Sequence, residues 1–72
     1  MKTFTTQDLY FAAYAMAHGA QCQALDRNHG RVTFVLTAED PQALRDAYYA
    51  GAEVPARGFA DAVNNLKAWM FL

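Results

Sequence analysis

Arg31-Val32-Thr33-Phe34-Val35-Leu36-Thr37 is the stretch on which the fold turns. Val32, Phe34 and Leu36 alternate with Arg31, Thr33, Val35 and Thr37, the period of a strand with one buried face. Directly upstream, Asp26-Arg27-Asn28-His29-Gly30 is rich in turn formers, and Asn28 and Gly30 both tolerate positive φ. Before that, Gln21-Cys22-Gln23-Ala24-Leu25 carries a weaker strand signal, because Ala and Gln fit a pleated surface poorly. Residues 20–26 and 31–37 therefore predict an antiparallel hairpin.

Helical patterns flank the hairpin. Residues 5–18 predict a helix with Thr5 as its cap, Asp8 completing an approximate capping box, and Phe4 and Leu9 as a hydrophobic staple. Gly19 suits the left-handed position that closes such a helix. Asp40 and Pro41 open a second helix, which Gly51 ends. Its apolar face carries Leu44, Ala47 and Tyr48. Pro55 holds Val54 extended, and Val54 can supply a short third strand. From about Ala56 to the C-terminus, Phe59, Ala62, Val63, Leu66 and Met70 follow the helical period. The expected order is α-β-β-α-α. It describes a single α+β domain over 1–72, with a two-stranded hairpin packed against three helices. Two strands are marginal alone, so the helices must cover them.

The chain has 72 residues, a formal net charge of −1 and one cysteine. That charge argues against whole-domain attraction to nucleic acid. One cysteine forms no internal disulfide, and His18, Cys22 and His29 match no metal-ligand spacing. The carboxylates are scattered and the four glycines too dispersed to cradle a phosphate. No metal, no cofactor and no enzymatic activity are therefore expected. No apolar run approaches the length of a membrane span, and the first residues lack a signal-peptide core, so a cytoplasmic location is expected. Hydrophobic residues make up 54 % and aromatics 14 %, which argues against disorder. Fifteen residues are Ala, so the core rests on a few large side chains and association can supplement it.

The first helix is apolar nearly all round. Leu9, Ala12, Ala13 and Met16 form one stripe, and Tyr10, Phe11 and Tyr14 surround it. Tyr49 and Phe71 point away from the faces set by Leu44 and Leu66, and Trp69 lies at the edge of its helix's stripe. Tyrosine and tryptophan are enriched among interface anchors. Tyr10, Phe11, Tyr14, Tyr49, Trp69 and Phe71 are thus the expected partner-binding residues, for another protein or a homodimer. The alternative puts nucleic acid on the hairpin through Arg27, His29 and Arg31.

Several motifs together resemble a known family. They are Thr6-Gln7-Asp8-Leu9-Tyr10-Phe11-Ala12-Ala13-Tyr14, the following Gly19, Val32-Thr33-Phe34-Val35-Leu36, Tyr48-Tyr49, and Val54-Pro55-Ala56-Arg57-Gly58-Phe59 with Leu66-Lys67. Over nearly the whole chain they are similar to a set of small bacterial, archaeal and phage domains of unknown function. The resemblance supplies no activity, so no catalytic residue carries over. It implies a phage or prophage setting, and with it the host cytoplasm. Small phage inhibitors of bacterial defence, anti-CRISPR proteins among them, share this size and often lack a catalytic signature. By that analogy of size and setting, the expectation is a small nonenzymatic protein-binding module acting on a host defence complex. The alternative is a nucleic-acid-associated accessory domain using the Arg27–Arg31 hairpin.

Overall fold

The first residues form a strand, not the opening of a helix. The computed structural model describes residues 1–71, in the order β1 (Lys2–Thr6), α1 (Leu9–Ala17), β2 (Gln21–Asn28), β3 (Arg31–Ala38), α2 (Pro41–Tyr49) and α3 (Ala56–Met70). The α+β class and the three helices agree with the sequence. The order is β-α-β-β-α-α, and the sheet has three antiparallel strands arranged β1-β3-β2. The third strand comes from the N-terminus and not from Val54, which lies in the irregular 52–55 connection.

β1 reads Lys-Thr-Phe-Thr-Thr, and these β-branched and aromatic side chains fit a half-buried pleat. It lies along β3 with Lys2 opposite Ala38 and Thr6 opposite Phe34. The helix starts later than Thr5. Asp8 caps it, its Oδ1 accepting the Tyr10 N–H at 2.9 Å and the Phe11 N–H at 3.2 Å. A carboxylate is also the better match to the positive end of the helix. Thr6 Oγ1 accepts the Asp8 N–H at 3.1 Å and so fixes the corner between strand and helix.

The hairpin is longer and tighter than the loop composition suggested. Only His29 and Gly30 lie outside the strands, with φ of 54° and 78°. Two positive φ values in a two-residue loop are the type I′ pattern, whose twist matches that of the strands. Asn28 stays in β2, opposite Arg31. Near the other end of β2, Cys22 faces Leu36 and Ala24 faces Val35, so Gln23 is the extra residue of a bulge. The bulge lets Cys22 and Leu25 both face inward, opposite Leu36 and Phe34.

The inner sheet face presents Phe34, Leu36 and Ala38. These pack with Ala12, Ala13 and Ala15 of α1 and with Ala62, Val63 and Leu66 of α3 in one core. The alanines leave only a methyl between α1 and its neighbours. α2 sits on the flank of α1, and none of its residues is fully buried. Asp40 caps α2 as expected, its Oδ1 accepting the Ala43 N–H at 3.1 Å. Gly51, at φ 83°, takes the left-handed position beyond its end. No helix among the described residues is long and apolar enough to cross a membrane.

Candidate protein-binding surface

Two of the six expected anchors are core residues. Phe11 is 2 % exposed and Tyr14 3 %. The Phe11 ring lies 6.0 Å from Phe4 and 5.3 Å from Tyr48. The Arg45 guanidinium sits over the Phe11 ring, 5.3 Å from its centre. Tyr14 lies 5.4 Å from Tyr48 and 4.5 Å from His18. The helix that looked too apolar for one domain is enclosed by the sheet, α2 and α3 together. Phe11 and Tyr14 are therefore removed from the partner-binding set.

Tyr48 is the hub of this aromatic group. It touches Phe11 and Tyr14 from α2, and Tyr49 meets it edge-on at 5.2 Å. Burial, and then the Asp8 carboxylate and Tyr49, push the Tyr48 phenol above the usual tyrosine range. Tyr49 itself is 73 % exposed. An exposed ring is thus seated on a neighbour that is itself gripped by the core.

Tyr10 is 52 % exposed and stacks on the half-buried Phe59 at 6.3 Å, joining the first turns of α1 and α3. Trp69 is half-buried and packs against the core. Phe71, just past α3, is 83 % exposed. Twelve residues of helical rise separate Phe59 from Phe71, about 18 Å. Tyr10 and Phe71 therefore belong to different ends of the surface. Sequence reasoning treated Tyr48 and Phe59 only as core; both instead support an exposed tyrosine.

A cleft of about 630 Å³ opens between α1, α2 and the end of β3, with Ala38, Ala43, Leu44 and Ala47 in its lining and Tyr14 and His18 beside them. The signal for it was present: α2 is amphipathic, yet its apolar face finds too little to cover it.

Of the three hairpin residues, Arg27 stands apart. It pairs with Val32 and shares the inner face, while Arg31 pairs with Asn28 on the outer face. Arg27 Nη2 donates to the Trp69 carbonyl at 3.3 Å, a favourable place for a cation at the end of α3. His29, in the turn, lines the same shallow cleft as Arg31. The nucleic-acid surface thus loses Arg27.

Cys22 is half-buried on the inner face. Burial pushes its thiol up, against a smaller opposing effect of a hydrogen bond with the Ala24 backbone. Among the described residues, no group of three or more His, Cys, Asp or Glu is placed to hold a metal.

No protein-family model, curated protein or solved structure matches the chain.

Proposed function

We propose that the domain is a nonenzymatic protein-binding module whose contact surface centres on Tyr49. The observation that carries this is the mounting of Tyr49, 73 % exposed and held edge-on by a Tyr48 packed into Phe11 and Tyr14. A tyrosine fixed at its base offers a large amphipathic ring with little conformational entropy left to lose. Such rings are typical centres of binding energy. Tyr10, braced by Phe59, is a second ring of the same kind. The resemblance to small phage and prokaryotic domains supports a phage setting. There the partner is a protein of a host defence complex in the host cytoplasm, as it is for anti-CRISPR proteins. The nucleic-acid alternative is the weaker reading, because Arg27 is engaged by Trp69 on the far face from Arg31.

The test is photo-crosslinking in bacteria, with a benzophenone amino acid placed singly at Tyr49, Tyr10 or Phe71, and at the exposed Thr3, opposite Thr37 on the outer sheet face, as the control. A discrete adduct is expected from Tyr49 and absent from Thr3. An adduct of twice the chain's mass identifies a second copy as the partner, and any other discrete mass a foreign protein. No adduct at Tyr49, or equal adducts at Tyr49 and Thr3, would overturn the reading.

A further inference from the structure

We propose that the outer face of the sheet beside the hairpin turn binds a phosphorylated sugar, with Arg31 and His29 on the phosphate and Asp26 on a hydroxyl. The site rests on none of the reasoning about Tyr49, since it lies on the sheet face turned away from the helices. Strand register builds it. Asp26 pairs with Thr33 and Asn28 with Arg31, which sets four polar side chains as a tile on two neighbouring strands. Gln7, which follows β1, and His29 in the turn close the tile into a cleft of about 510 Å³. That size falls in the usual range for small-molecule sites, but those are mostly apolar, and every residue here is polar. The occupant must be polar in the same measure.

The chemistry of the lining narrows the class. Guanidinium and imidazole N–H groups supply charge-assisted donors suited to a phosphate ester. The single carboxylate, Asp26, only accepts when ionised, so it repels a bare anion and favours a ligand that also carries hydroxyls. The Asn28 and Gln7 amides and the Thr33 hydroxyl both donate and accept, as ring oxygens and hydroxyls require. None of these six side chains hydrogen-bonds another residue among the described residues. By contrast, Gln23, Arg27 and Gln42, equally exposed, are each engaged within the chain. His29 is also the one non-glycine described residue at positive φ, so the turn places an imidazole where Asn or Gly would fit more cheaply.

The test is amide-resolved NMR titration of the full chain at constant ionic strength, with ribose 5-phosphate and, separately, inorganic phosphate. Ribose 5-phosphate should shift Gln7, Asp26, Asn28, His29, Arg31 and Thr33 saturably, and bind at least about tenfold more tightly than inorganic phosphate. Arg31→Gln should weaken it about tenfold, whereas Arg57→Gln on α3 should not. Asp26→Asn should narrow the preference for the sugar over bare phosphate. Oligo(U) shifting the same amides more strongly would name an RNA backbone as the source of the sugar phosphate; a response to the monomer alone would name a free metabolite. Equal binding of both phosphates, an unchanged response in Arg31→Gln, or no shifts up to about 10 mM would overturn the site. The substituted residues are exposed, so the dispersion of the spectrum reports folding in the same experiment.

Discussion

Leu66→Ala measures how much of this domain hangs on one side chain. Leu66 is fully buried, in a core shared by α1, β3 and α3. Truncation removes three carbons, a transfer loss of about 2.4 kcal/mol at roughly 0.8 kcal/mol per group. The cavity adds to that, because Ala12, Ala13 and Ala62 in the same core have only methyls and cannot reach into the space. The expected cost is about 3–4 kcal/mol. A domain of 72 residues holds only roughly 4–11 kcal/mol in total, so the variant approaches the limit of folding. Urea unfolding followed by far-UV circular dichroism gives the value, as a lower midpoint with an unchanged slope. The melting temperature should fall by at least about 12 °C. Leu44→Ala is the internal comparison: Leu44 is half-buried and borders the cleft, where water already reaches, so its loss should cost under about 1.5 kcal/mol. A Leu66→Ala cost below about 1 kcal/mol, or no larger than that of Leu44→Ala, would refute this account of the core.

Asp8→Ala should cost about 1 kcal/mol in the same unfolding assay, since it strips the acceptor from two N–H groups at the start of α1, while Asp8→Asn should keep most of it. Equal losses from the two variants would show that the cap is not what matters there. The Tyr48 phenol, raised mainly by burial, makes stability fall at high pH: the contribution of its neutral form is complete below about pH 10 and is lost as pH rises through the folded value. Absorbance titration of tyrosinate should show a late-ionising step that Tyr48→Phe removes.

The parts of the fold that sequence declared are those where one residue type leaves little choice. Alternation at Val32, Phe34 and Leu36 set the inner face of β3, and the period from Phe59 to Met70 set α3. Asp40-Pro41 marked the start of α2 in a way few other dipeptides do. Legibility failed at Thr3-Phe4-Thr5-Thr6, where threonine is at once a helix cap and a strand former. Local preference cannot decide between those roles; the partner does, and the partner is β3, some thirty residues away. That single ambiguity carried through to function. Without β1 the domain had only a hairpin to cover an all-apolar helix, so Phe11 and Tyr14 looked like surplus surface awaiting another protein. With β1 in the sheet, Phe4 comes in against Phe11, while Tyr48 closes over both Phe11 and Tyr14 from α2. In this aromatic group Tyr49, the neighbour of Tyr48, stays outside, and α-helical geometry makes that unavoidable. Adjacent helical residues are turned about 100° apart, so a helix that packs Tyr48 against Phe11 and Tyr14 must turn Tyr49 away. The exposed ring is thus a consequence of the same packing that withdrew Phe11 and Tyr14. That is why Tyr49 can be removed without loosening the core and is the cleanest position at which to separate binding from stability.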